Sequence, residues 1–132
     1  IISQQLIDAN QIDFLDVSLW DCFKLPEEYP ESQLNLLEHI MQLDYKSIML
    51  TVAGNIRTGK DVQNVLNLGV DFVTIGRSGI LHHDFPRRVI EDPDFTPTEN
   101  PVSEGYLRSE GLSDTFITYM RKWPGFVEDA MR

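Results

Sequence analysis

The sequence predicts an α/β protein built from parallel strand–helix–strand units. Three observations carry that prediction. Strand-length runs at residues 13–18, 47–52 and 72–75 alternate with stretches of helical periodicity through residue 77. The central run, Ser47-Ile48-Met49-Leu50-Thr51-Val52, is nearly continuous in apolar residues, as suits a strand buried on both faces of a parallel sheet. Single helices at this spacing make parallel crossovers, which leaves an open doubly wound sheet or a piece of a barrel. No glycine-rich fingerprint follows the first run, and this counts against the dinucleotide-binding version of the open sheet.

Each element follows from its own residues. Residues 1–10 read as the end of a helix, with Ile2, Leu6 and Ile7 on one face. Residues 13–18 form the first strand, and a loop follows that holds Trp20, Cys22 and Phe23. Pro30 suits the first turn of a second helix, where its missing N–H has no partner to lose. Leu34, Leu37, Ile40 and Met41 recur at helical spacing, so this helix should end near Leu43. After the central strand and Ala53-Gly54-Asn55, Thr58 is the expected cap of a third helix, with Asp61 three residues on. Val62, Val65, Leu66 and Leu68 should face its core, and Gly69 stands where a left-handed C-cap belongs. The third strand, Phe72-Val73-Thr74-Ile75, runs into Gly76-Arg77.

Beyond Arg77 the pattern changes. A short helix is expected over 87–91, an extended tail over 93–105, and a last helix over 112–123. Ser113 should cap that helix, Phe116, Ile117, Met120 and Trp123 form its apolar stripe, and Pro124-Gly125 stops it. The predicted organisation is therefore βα units over residues 1–92 and a tail over 93–132 whose helix docks on the barrel or on a partner subunit. Three parallel strands leave both sheet edges unpaired. The chain is accordingly expected to be part of a larger fold, and to self-associate as a homo-oligomer when it stands alone.

Composition narrows the partners. With 11 Lys and Arg against 21 Asp and Glu, the net charge is -10. Binding to a nucleic-acid backbone draws its affinity from a basic face, so no nucleic-acid partner is expected. No run reaches the roughly 18 apolar residues of a membrane span, no secretory leader is evident, and no membrane partner is expected. The single cysteine, Cys22, forms no disulfide within the chain, and a reducing cytoplasm is the simplest location. A phosphate, if bound, must be held locally by backbone N–H groups and one or two placed cations.

Two strand ends fit that requirement. The first carries Ala53, Gly54 and Asn55; the second, about twenty residues later, carries Gly76 and Arg77. The C-terminal ends of the last two strands of a (β/α)8 barrel commonly form a phosphate site. Glycine lets the backbone approach an anion, successive N–H groups make a concave nest, and arginine adds a charged donor fork. Plainer alternatives stand beside this one: Gly54 and Gly76 as tight strand-to-helix turns, and Arg77 as a surface ion-pair partner. His82, His83 and Asp84 carry ligand types suited to zinc, but adjacent histidines point apart and no second cluster supports them. A solvated loop is the expectation there, with no metal. Asp13 and Asp16 bracket a strand as solvent-facing or capping groups, and Cys22 is not assigned as a nucleophile.

Gly54-Asn55-Ile56, the helix ending at Gly69, and Asp71-Phe72-Val73-Thr74-Ile75-Gly76-Arg77 together resemble the last two βα units of the old yellow enzyme family of NAD(P)H:flavin oxidoreductases. Residues 13–18, with their terminal serine, resemble that family's sixth strand. Ile80-Leu81 and Asp84-Phe85-Pro86 resemble the segment after its Gly-Arg, although two histidines precede the aspartate and a phenylalanine separates it from the proline. The resemblance spans residues 1–92 and implies the C-terminal part of a TIM barrel, strands six to eight. It implies FMN as cofactor, with its phosphate held by Gly54, Asn55, Gly76 and Arg77, Ala53 nearby, and Arg77 against the flavin ring. It implies NADH or NADPH as reductant and a small-molecule electron acceptor such as an activated alkene. The family's substrate-anchoring histidine pair and tyrosine donor lie on strands absent from this stretch, so no catalytic residue is expected in it. Alternatives are a barrel isomerase, aldolase or synthase that binds a phosphorylated substrate, and a non-catalytic self-associating module.

Overall fold

A computed structural model of the chain describes residues 2–129; Ile1, the first residue of the predicted opening helix, lies outside them. The chain forms two compact units, one of Ile1–Ile56 with Lys60–Gly76, the other of Arg57–Gly59 with Arg77–Arg132.

The first unit is α/β. Its elements are α1 (Ile2–Asp8), β1 (Phe14–Ser18), α2 (Leu36–Ile40), β2 (Met49–Ala53), all but the first residue of α3 (Gly59–Asn67), and β3 (Phe72–Val73). The strands form an open sheet in the order β1-β2-β3, every pair parallel. Leu50, Thr51 and Val52 are each at most 2% exposed, so β2 is covered on both faces along its middle three residues, as its apolar run predicts.

Alternation along the strands gives one sheet face a layered character. Phe14 lies opposite Met49, Asp16 opposite Thr51 and Ser18 opposite Ala53. Phe14 and Phe72 meet edge to face with centroids 5.6 Å apart, yet Phe14, Met49 and Phe72 remain 48%, 47% and 38% exposed. The next layer is polar: the Thr51 and Thr74 hydroxyls lie 3.1 Å apart, and Thr74 reaches the Asp16 carboxylate at 3.4 Å. Asp16 thus has a neighbour on the sheet face as well as solvent.

Several predicted details change. In α1, Ile7 is the buried residue, while Ile2 and Leu6 are exposed, so the covered stripe is narrower than the predicted one. The second helix begins at Leu36, not at Pro30. Asn35 caps it through a reciprocal box, accepting from the Glu38 N–H at 2.9 Å while Glu38 accepts from the Asn35 N–H at 2.8 Å. In α3, Val62 and Val65 are buried, but Leu66, and Leu68 just past the helix, are exposed. Gly69 ends that helix with φ 101, the left-handed conformation expected of it. β3 is shorter than its apolar run, although the Thr74 N–H still donates to the Val52 carbonyl at 3.0 Å.

The second unit is helical: α4 (Arg77–Leu81), α5 (Phe85–Glu91), α6 (Glu104–Ser109) and α7 (Asp114–Met120). Its core joins Leu81, Val102, Leu107, Ile117, Met120, Phe126 and Val127. The predicted extended tail over 93–105 is therefore partly wrong. Val102 is 4% exposed, bridges Val127 as a parallel pair, and leads into α6. α4 and α6, both unpredicted, have five and six residues, too few to be stable without such a core. Ser113 caps α7 as predicted, accepting from the Phe116 N–H. Ile117 and Met120 of the predicted stripe are buried, whereas Phe116 and Trp123 are 40% and 47% exposed. Among the described residues no helix is long and apolar enough to cross a membrane.

Candidate phosphate-binding strand ends

The end of β2 is clamped by the loop that follows β1. The Leu19 N–H donates to the Ala53 carbonyl at 2.6 Å and the Cys22 N–H to the Gly54 carbonyl at 3.2 Å. That loop leaves no room for a side chain at Gly54: a Cβ there would stand 2.6 Å from the Leu19 carbonyl oxygen and 2.8 Å from the Cys22 nitrogen. Asn55 adopts φ 54, a left-handed conformation that asparagine tolerates. Its side-chain amide donates to Asp21 Oδ2 at 3.1 Å, while Asp21 Oδ1 accepts the Phe23 N–H at 3.0 Å. Gly54 and Asn55 thus both have reasons within the chain to be what they are.

The end of β3 is different. A Cβ at Gly76 would meet no described atom within 4 Å, and no left-handed backbone requires a glycine there. Arg77, the next residue, opens α4 in the second unit and is exposed. Its guanidinium makes no ion pair among the described residues, whereas Arg87, Arg88, Arg108 and Arg121 each hold a carboxylate. Neither the tight-turn account of Gly76 nor the ion-pair account of Arg77 has support from these contacts.

The clamped loop carries two further side chains of note. Cys22 is fully buried, and desolvation first, then the Asp21 charge, pushes its thiol up to about 11. A thiol so protonated is a poor nucleophile. Trp20, on the same loop, is 84% exposed. A polar cavity of about 440 Å³ opens at the other ends of β1 and β2, among Asn10, Gln11, Ile12, Asp13, Ser47 and Ile48, away from the strand ends described above.

In the second unit, Gly59 is closely covered. Its N–H donates to the Phe95 carbonyl at 2.8 Å, and a Cβ there would stand 2.3 Å from the Pro93 carbonyl oxygen. The first N–H of α3 is therefore taken by the chain itself. The expectation of a solvated loop at His82-His83-Asp84 fails for His82, which is 4% exposed and packed edge-on against Phe95 and Tyr106. Ligand atoms of His82, Asp84 and Glu110 lie within 4.8 Å of one another. Each is already engaged: both His82 ring nitrogens in hydrogen bonds, Asp84 with Arg88 at 2.6 Å, and Glu110 with His83 at 2.8 Å. The Arg88 cation beside Asp84 also opposes a metal ion, and it holds that carboxyl below the usual range.

Compared with known protein families and with solved structures, the chain matches none.

Proposed function

We propose that the chain supplies the FMN-phosphate end of a flavin-dependent (β/α)8-barrel oxidoreductase. In this reading FMN takes hydride from NADH or NADPH and passes it to an electron-poor small molecule. The observation that carries it is Gly76-Arg77, just past the C-terminal end of β3: a glycine that no packing among the described residues requires, followed by an arginine that makes no ion pair among them. In a protein of net charge -10 this supplies the local donor set and positive potential that a phosphate needs. The parallel order of the sheet supports the barrel, as does its layered face with exposed Phe14, Met49 and Phe72 waiting to be covered.

Gly76 and Arg77 would contact the phosphate directly. Gly54 and Asn55 would shape the neighbouring strand end, Gly54 by admitting the loop and Asn55 by tethering Asp21. The flavin would supply the redox chemistry and these residues its binding.

The test compares FMN with riboflavin, which differ in the phosphate alone, by equilibrium titration of the full-length protein. Tighter binding of FMN, lost in Arg77→Ala, supports the reading. Equal affinity for the two refutes it. Binding of a phosphorylated metabolite with no flavin absorbance in the purified protein would move the site to a barrel isomerase, aldolase or synthase.

A further inference from the structure

Residues 93–98 form a strap fastened at two points to one buried imidazole. The Phe95 ring meets the His82 ring edge to face at 5.2 Å, and the Thr98 N–H donates to His82 Nε2 at 2.9 Å. Through its Phe95 carbonyl the same strap holds the Gly59 N–H at 2.8 Å, with Pro93 pressed against the glycine. An amide N–H only donates, so Nε2 must accept and carries no proton. Neutral imidazole then bears its proton on Nδ1, which faces the Tyr106 hydroxyl at 3.2 Å. That hydroxyl in turn donates to the Leu81 carbonyl at 2.8 Å. Each donor in this relay from Thr98 to Leu81 meets an acceptor, and only the neutral Nδ1–H form of His82 allows it.

We infer that His82 is the latch of a pH-gated strap: neutral, it holds residues 93–98 closed over Gly59, and protonated, it releases them. Imidazolium would place an Nε2–H against the Thr98 N–H, two donors facing each other inside the unit. The charged and titratable groups around His82 are few. Arg88 of α5 opposes its protonation, as does the neighbouring His83, whereas Asp84 and Glu110 favour it. Tyr106 of α6 contributes a hydroxyl, and the strap meets the ring with the uncharged Phe95 and Thr98. The two carboxylates are spent on Arg88 and His83, which leaves burial as the largest influence and holds His82 below its ordinary value of 6.5.

The sign follows from this lowering. A base that titrates lower in the closed state stabilises closure fully above about 6.5, its free value, and loses that contribution as pH falls through its closed-state value. Between pH 7.5 and 5.5 the open fraction should rise by up to about tenfold, the ratio by which free imidazole gains protons over that range.

Amide hydrogen exchange on the full chain, corrected for intrinsic rates, tests the latch. Protection of the Thr98 amide should fall by up to about tenfold from pH 7.5 to 5.5, while amides of β2 hold theirs. His82→Gln keeps an acceptor and cannot titrate, so its Thr98 protection should not depend on pH. His82→Phe keeps an apolar ring without an acceptor and should leave Thr98 poorly protected at both values. Constant wild-type protection, or a fall that persists in His82→Gln, overturns the latch; so does wild-type protection at pH 7.5 in His82→Phe.

Discussion

Gly54→Ala and Gly76→Ala make the same chemical change at neighbouring strand ends, and the structure assigns them opposite outcomes. Neither glycine has a left-handed φ, so alanine is conformationally acceptable at both. At Gly76 the new methyl meets no described atom within 4 Å. Removing a glycine from the unfolded ensemble then leaves stability unchanged or raises it by about 0.4–1 kcal/mol. At Gly54 the methyl meets the Leu19 carbonyl oxygen at 2.6 Å, the Cys22 nitrogen at 2.8 Å and the Leu19 Cβ at 3.1 Å. Two of the three are backbone atoms, held in place by the Leu19–Ala53 and Cys22–Gly54 hydrogen bonds. The loop must shift, at a cost of about 1–3 kcal/mol for overpacking. Urea unfolding followed by far-UV circular dichroism should separate the two variants by roughly 2 kcal/mol. A Gly54→Ala variant within about 0.5 kcal/mol of wild type would refute the clamp. Gly76→Ala doubles as a clean probe of the proposed phosphate site, since a loss of FMN affinity there has no folding defect behind it.

Two further expectations rest on individual contacts. Asn35→Ala removes the capping box of α2 and should cost about 1 kcal/mol in the same assay, while Asn35→Asp should retain most of it. Cys22, with its thiol pushed up to about 11 from 9.0, should alkylate at pH 8 about a hundredfold more slowly in the native chain than in urea. Its neutral form favours the fold below pH 9, and that contribution is lost as pH rises towards 11; native alkylation as fast as unfolded would contradict its burial.

The apolar runs and the helical periodicity predicted the alternation of strands and helices correctly. A parallel strand buried on both faces needs a run with few polar groups, and Leu50 and Val52 are buried on one face while Thr51 is buried on the other with its hydroxyl bonded to Thr74. Gly69 was legible for a local reason: only glycine enters the left-handed C-cap freely, and its φ is 101. Ser113 was legible likewise, because a cap is a contact between near neighbours. The start of α2 was misread because Pro30 and Asn35 both mark helix starts, and the reciprocal Asn35–Glu38 bonds decide between them.

The candidate site divides along the same line. That a glycine stands at each strand end, with an arginine after the second, belongs to the sequence. Why each glycine is there does not. Gly54 answers to a loop more than thirty residues earlier, and Gly76 answers to no contact among the described residues. His82 shows the same limit from the other side: His-His-Asp looks like a solvated turn, and only the packing of Phe95, Thr98 and Tyr106 around one ring makes it a buried acceptor. Periodicity, caps and strand length depend on neighbours within a turn or two, so residue order alone suffices for them. Which face of α1 is covered, what fills the space beside a glycine, and which imidazole nitrogen stays bare depend on residues distant in sequence, and those meet only once the chain is folded.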